Sequence, residues 1–512
     1  MPVYAHDVLH VTIGLLRRAP GPSKLRGFRP PAPAMTLRSR LPLRRSVIAI
    51  ALLFLAGHAS AQPAEPLTMT RIMADPDWIG SSVEQAWWSW DGKTALYQRK
   101  RDGATVRDLW TVPVAGGAPV RVEDTARASL DAANPVFDAG RTRMAFARNG
   151  DLFVRDLRNG ALIQLTRSEA QESRPQWSRD GALVWRAGND WFRWTAANGV
   201  VQAANVQLAE DPGKAPAADD LRDRQLRLID TLKNDRERRE AAREQDEAWR
   251  RADPTRAPSP VYLGKGVEIA DSALSADGRW LLVVTTAKGA EAGQAGKMPK
   301  YVTESGYEEF DEVRTRVGRN APLPHKLWLV DIAGAKASEL KFDALPGIGV
   351  DPLAAMRKAA KQEALKVNRD ARIETDGDGN GPAIHWSDDG RNVAVLIRAI
   401  DNKDRWIATV DLAGATLQSR HRLTDAAWIN WNYNEFGWLR DGRTLWYLSE
   451  ESGYSHLYLL ESGGGKPRAL TSGKWEVSSP ALSADGNRMQ FLCNRAWPGD
   501  YEVCDVPVAG GA

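Results

Sequence analysis

The chain has 512 residues, a formal charge of +4 and 20 tryptophans. That length can bury one very large core or several ordinary ones, and the tryptophans supply large apolar areas with one polar handle each. The charge is a leader effect: residues 1–61 hold nine Lys/Arg and one Asp, leaving 60 basic against 64 acidic residues, which excludes the basic footprint of a nucleic-acid binder.

The order of the leader reads as export. Arg38, Arg40, Arg44 and Arg45 precede an apolar run from Val47 to Gly57, and Ala59-Ser60-Ala61 offers a small-residue cleavage pattern before Gln62. The run is short for a bilayer span. Residues 35–61 are therefore expected to be a signal peptide, residues 1–34 upstream sequence from an early start codon, and residues 62–512 a periplasmic or secreted chain without a membrane segment. Leu67 to Pro76 reads as a short opening strand or helix.

A repeated unit then begins. Trp88-Ser-Trp-Asp-Gly92 precedes the strand Thr94 to Gln98, and Asp108 to Val114 returns it before Gly116-Gly117. The same Asp-Gly signature, or a degraded copy of it, recurs at Asp138, Asp180, Asp277, Asp389, Asp441 and Asp485. Asp satisfies turn backbone groups, and Gly takes the positive φ that a Cβ resists. Four of the six intervals are 42 to 52 residues, the period of a four-stranded propeller blade. The fold class is all-β, a β-propeller of about seven visible four-stranded blades. The two long intervals hold insertions, read as a charged amphipathic helix near 219–251 and a second helix near 351–368 with Asp351 as N-cap and Pro352 at its first position.

Segments that could carry chemistry are few. No Gly-x-Ser-x-Gly nucleophile elbow occurs, and Gly453-Tyr-Ser-His456 reads as turn and strand. Only four histidines follow the leader, His325, His385, His421 and His456, and none shares a motif with a Ser or Cys nucleophile. Asp376 to Gly381 copies half of a calcium loop, but Ser387 stands where the bidentate Glu belongs, so the loop reads as a polar connection. No pattern requires a metal or cofactor. Arg99 to Arg101 forms a basic hairpin tip able to hold an anionic or carbonyl group. Tyr301 to Gly318 is an acidic-aromatic loop in which Glu308 and Glu309 could hold a cation. Cys493 and Cys504 flank Trp-Pro-Gly-Asp-Tyr on two β-prone runs, and a hairpin there would set them opposite each other as a cross-strand disulfide.

Three runs carry a resemblance: Trp428 to Trp438 (WINWNYNEFGW), Tyr447 to Leu459 (YLSEESGYSHLYL) and Leu470 to Val477 (LTSGKWEV). With Val313 to Ile332, they resemble the propeller of dipeptidyl peptidase IV-type enzymes in the prolyl oligopeptidase family of serine peptidases. The resemblance spans Leu67 to Ala512 and is strongest after Tyr301. It implies an eight-bladed propeller followed by an α/β-hydrolase domain carrying Ser, Asp and His, with the propeller admitting short peptides and lending charged residues to hold them. This sequence stops after its seventh unit, so the expectation is a propeller without catalytic residues of its own. An arginine of the family's first-blade loop has a counterpart among Arg99 to Arg101, with Arg101 the chosen candidate. The family's paired glutamates precede the fourth-blade turn, whereas Glu308 and Glu309 follow it. The implied partners are a peptide substrate, a hydrolase domain and a second copy in a homodimer, with no nucleic acid. The competing expectation is a stand-alone periplasmic propeller of the TolB type that scaffolds other proteins. Either way, unpaired blade edges would favour self-association.

Overall fold

The structure is a computed structural model describing residues 67–73, 80–214, 219–253, 255–289, 295–315, 322–363, 365, 369–373 and 382–510. The leader, the sequence upstream of it and the loop Asp376 to Gly381 lie outside the described residues. The remainder is mostly β and forms a seven-bladed propeller arrangement with few helices. The opening segment contributes one helical turn, Met69–Ile72, capped by the Thr68 side chain.

Blades one, two, three and six are four-stranded antiparallel sheets in sequence order. They occupy Val83–Arg121, Val136–Gln164, Glu172–Ala204 and Phe436–Ala469, from the first residue of the first strand to the last of the fourth. Blade four, Val267–Leu340, has the same order but carries between its second and third strands a separate two-stranded arm, Ala295–Lys300 with Glu309–Thr315. The run from Tyr301, read as a loop, is therefore strand from Glu309 onward. In blade five the inner strand is interrupted: Ala371–Ile373 and Ile384–Trp386 both pair with Val393–Ala399. Blade seven departs from the four-stranded expectation, with three strands, Val477–Leu482, Arg488–Trp497 and Asp500–Pro507, among the described residues. Cys493 and Cys504 are joined as a disulfide across its last two strands.

The insertions also correct the sequence reading in detail. The first is two helices, Asp220–Leu228 and Asp230–Ala252, broken at Ile229, with no buried residue in either. A parallel bridge between Val206–Gln207 and Val261–Tyr262 closes its base. The second is Ala354–Ala359 among the described residues, a six-residue helix that starts three residues later than read and has ended by Ala360. Asp351 caps nothing at its start; its carboxylate accepts from the Leu353 and Leu365 amides and pairs with Arg357, which ties the loop into a knot and ends the helix early.

The Asp-Gly turns work as local chemistry requires. At Asp441 the carboxylate accepts the Arg443 and Thr444 amides while Gly442 takes φ 65°. The degraded second copy puts Arg141 at φ 49° instead, a cost that its Asp138 bonds to Thr142 and Arg143 offset. Because strands run in order and antiparallel, these turns share one end of the propeller with the hairpins between third and fourth strands. The hairpins between second and third strands, and the crossings from blade to blade, share the other.

Apolar clusters sit between neighbouring blades. The largest joins blades four, five and six around Val395, Ile397, Trp406 and Tyr447, and others join two to three, three to four and six to seven. A repeated bond stitches these interfaces. The tryptophan ending the first strand donates its indole N–H to a first-strand carbonyl of the preceding blade: Trp177 to Val136 (3.2 Å), Trp386 to Ala273 (3.0 Å) and Trp438 to His385 (2.8 Å). Two positions of the same kind are exposed among the described residues. Trp88, in the same position of blade one, is 53% exposed. On the far face of blade seven, Val503 is 56% exposed, whereas its counterparts Leu327, Ile407 and Leu457 are at most 1% exposed.

Candidate functional site

The end opposite the Asp-Gly turns gathers the long connections, and with them the residues singled out from sequence. Arg101 follows the second strand of blade one, and its guanidinium grips Asp108 through two bonds of 2.9 and 2.8 Å. Asp108 also accepts Arg121 and is held well below the ordinary carboxylate range by these two arginines. Arg101 is thus already paired within its own blade. Glu308 and Glu309 stand exposed at the tip of the blade-four arm, where the Ser305 hydroxyl donates to Glu309 at 2.7 Å. No hydrogen bond or ion pair joins Arg101 to either glutamate among the described residues. They share an end of the propeller without forming one site.

The densest polar constellation at this end was not marked from sequence. It lies where blades five, six and seven meet, around Arg405 near the start of the third strand of blade five, Asp404–Asp411. Arg405 is 1% exposed. Its guanidinium donates to the Asn434 side chain, to the Leu448 carbonyl at 3.2 Å and to the Tyr433 carbonyl at 3.4 Å. No carboxylate forms an ion pair with it among the described residues. Burial pulls its pKa down to about 10, while Glu435, Glu450 and Glu451 nearby favour its charge. Beside it, the fully buried Asp404 takes Arg369 at 2.5 Å and Arg422 at 2.7 Å. These contacts tie the crossing from blade four to the outer edge of blade five.

Around Arg405 stand paired carboxylates. His421 Nε2 lies 2.7 Å from Glu451, which also accepts from Ser449. Glu450 accepts from Asn430 at 3.3 Å, and Tyr433 donates to Glu476 at 3.4 Å. Burial lifts Glu450 above the ordinary carboxylate value, with Glu476 adding to the effect, and pushes Tyr433 up to about 12. Arg405 Nε, Trp431 Nε1 and the Tyr447 hydroxyl are buried there without a hydrogen-bond partner among the described residues, as is His421 Nδ1, an acceptor when Nε2 donates to Glu451. A site with spare N–H and O–H donors beside carboxylates can engage both ends of a polar backbone, donors toward carbonyls and Glu450 toward a cation. Ser455 and His456 do not pair as nucleophile and base: Ser455 donates to the Val477 carbonyl, and His456 is taken by Thr471 and the Gly473 carbonyl.

The electrostatics set a pH dependence. Burial holds His421 below the ordinary imidazole value, and the His421 contact is the first cause holding Glu451 low. Both depressed values stabilise the fold above the unfolded pKa of each group, and that contribution is lost as pH falls through the folded values. Glu450, raised, acts in the opposite sense: its contribution is complete below the ordinary carboxylate value and fades as pH rises through the folded one. From about pH 6.5 down to about pH 4, the urea midpoint of the native chain is expected to fall, and that of His421→Gln to fall less steeply. Parallel slopes would remove His421 as the source.

The signals that mark this site were in plain view as the runs WNYNEF and SEESGY, which supply Trp431, Tyr433, Asn434, Glu435, Glu450 and Glu451. Arg405 had no such signal, being one charge at the head of a strand otherwise read as apolar.

Comparison with known proteins gives matches over part of the chain. Residues 358–511, blades five to seven, match the family described as the dipeptidyl peptidase IV (DPP IV) N-terminal region. A probable dipeptidyl peptidase 4 of Aspergillus clavatus is 44% identical over 54 residues, 10% of this chain and 7% of that protein. Among solved structures, dipeptidyl peptidase 4 of Porphyromonas gingivalis matches at 15% identity and TM-score 0.45, over 87% of this chain and 55% of that one. A putative dipeptidyl aminopeptidase IV of Bacteroides ovatus matches at 13% identity and TM-score 0.39, over 80% and 49%. The chain spans about half the length of these solved structures.

Proposed function

We propose that this chain, whose blades five to seven carry a DPP IV N-terminal region, is the substrate-gating and substrate-binding propeller of an exported serine-type dipeptidyl peptidase. It supports peptide hydrolysis without catalysing it. The observation that carries this reading is the family match over residues 358–511. The placement of the Arg405 cluster, Arg101 and the Glu308–Glu309 arm at one end of the propeller agrees with it. Nucleophile, base and oxyanion donors would come from a hydrolase domain, as an acyl-enzyme route requires. In this reading the propeller contributes binding and access: carboxylates hold a free amino terminus and arginine or indole donors hold carbonyls.

The test has two arms. The chain is incubated with a proline-containing dipeptide chromogenic substrate and is expected to give no turnover. Turnover abolished by a serine-directed inhibitor would overturn the non-catalytic reading. In the second arm, alanyl-proline is titrated against the chain. Weak saturable binding that N-acetylation of the dipeptide abolishes is expected, and identical behaviour of free and acetylated forms would count against substrate binding. A partner-scaffolding propeller would pass the first arm and fail the second.

A further inference from the structure

Two carboxylates of the Arg405 cluster have no counter-ion. Glu450, in the hairpin between the second and third strands of blade six, accepts from the Asn430 side-chain amide at 3.3 Å, and Glu476, on the crossing into blade seven, accepts from the Tyr433 hydroxyl at 3.4 Å. The ion pair of this neighbourhood goes instead to Glu451, which His421 takes at 2.7 Å; neither Glu450 nor Glu476 forms one among the described residues. Both donors come from a single crossing, which is itself fixed: the Asn434 side chain donates to the Asn430 carbonyl at 2.9 Å and accepts from Arg405. The Glu476 amide donates to the Asn494 side chain at 2.7 Å. The fold therefore keeps two half-buried carboxylates in place, close enough that Glu476 adds to the rise of Glu450. Like charges held together in this way favour a cation as ligand.

Spare donors narrow the ligand further. Arg405 is 1% exposed and Tyr447 is fully buried, yet Arg405 Nε and the Tyr447 hydroxyl have no hydrogen-bond partner among the described residues. Both sit among the carboxylates: Glu450 and Glu451 act on the Arg405 charge, and Glu451 acts on the Tyr447 phenol. Buried donors of this kind need an acceptor. A plain diamine offers none, whereas a peptide places its first carbonyl beside its α-ammonium. The α-ammonium belongs next to the donors that hold that carbonyl, hence at Glu450, which leaves Glu476 without a cation. A basic first side chain supplies one, its stem lying along the Tyr433 ring.

We propose that this site selects peptides whose first residue is lysine or arginine: Glu450 takes the α-ammonium, Glu476 the side-chain cation, and Arg405 Nε and the Tyr447 hydroxyl the first carbonyl. This preference rests on the substrate-binding reading of the propeller, to which it adds the chemistry of the first side chain.

The probes are dipeptides titrated by calorimetry into the full-length chain: alanyl-proline, lysyl-proline, norleucyl-proline, which keeps the lysine stem without its charge, and Nε-acetyl-lysyl-proline. Lysyl-proline is expected to bind about tenfold tighter than each of the others. Cadaverine, which carries two ammonium groups and no carbonyl, is expected to bind about tenfold more weakly than lysyl-proline. Glu476→Gln is expected to bring lysyl-proline to the norleucyl-proline level, and Glu450→Gln to weaken every free-amine dipeptide. Should Glu476→Gln fail to fold, the neutral peptides decide with the native chain alone. Equal affinity of lysyl-proline and norleucyl-proline, or a lysine preference that survives Glu476→Gln, would overturn the proposal, while saturable alanyl-proline binding would leave the substrate-binding reading intact. Cadaverine binding as tightly as lysyl-proline would also overturn it, assigning the carboxylates to diamines. No saturable binding of any dipeptide would defeat both readings.

Discussion

Arg405→Ala is expected to lower the stability of the full chain by about 3–5 kcal/mol, the combined order of the void left by a large buried side chain and of its lost charge-assisted hydrogen bonds. The side chain is fully enclosed and supplies the hydrogen bonds of Asn434 and of the Tyr433 and Leu448 carbonyls. Truncation removes a donor from three acceptors, those of Asn434 and Leu448 buried, and leaves a void. Arg405→Lys keeps the charge but not the fork that reaches three partners, so it should recover less than half of the loss. The measurement is the urea midpoint followed by both tryptophan fluorescence and far-ultraviolet circular dichroism, because an array of blades need not unfold in one step. A midpoint unchanged in Arg405→Ala would mean that the guanidinium is not what fixes the junction of blades five and six.

The second large effect tests the tryptophan stitching by position. Trp386→Ala removes an 8% exposed ring from the largest apolar cluster and orphans the Ala273 carbonyl. A loss of about 3–5 kcal/mol is expected. Trp88→Ala deletes the same residue of the same motif, where half of it is in water, and should stay within about 0.5 kcal/mol. Equal losses would show that Trp88 is covered in solution.

These two residues also mark what the sequence discloses. Trp88 and Trp386 open corresponding motifs that differ only at their third residue, and period, turn chemistry and blade count follow from such motifs because each turn is built from its own residues, Asp accepting nearby amides and Gly or Arg141 taking positive φ. Which tryptophan is buried depends on a neighbouring blade far away in the chain, and no local pattern encodes it. Arg405 and Asp404 are illegible for a similar reason: their partners lie 18 to 43 residues away, on the outer strand of the same blade, on a crossing or on the next blade. The short helix at Ala354–Ala359 was overestimated because good helix formers follow it, while the Asp351 contacts to Arg357 and Leu365 fold the segment back. Arg101 was legible as a basic tip, but its pairing with Asp108 needs the hairpin register to bring the two together.

The cross-link between Cys493 and Cys504 has a thermodynamic meaning beyond its own hairpin. Where blades pack on their neighbours, stability is a profile along the chain instead of a single number. Blades four and five, inside the largest cluster, are the anchor of that profile. The cross-link joins the last two strands of blade seven. There it restricts the opened chain, a covalent clasp that holds whether or not the neighbouring packing does.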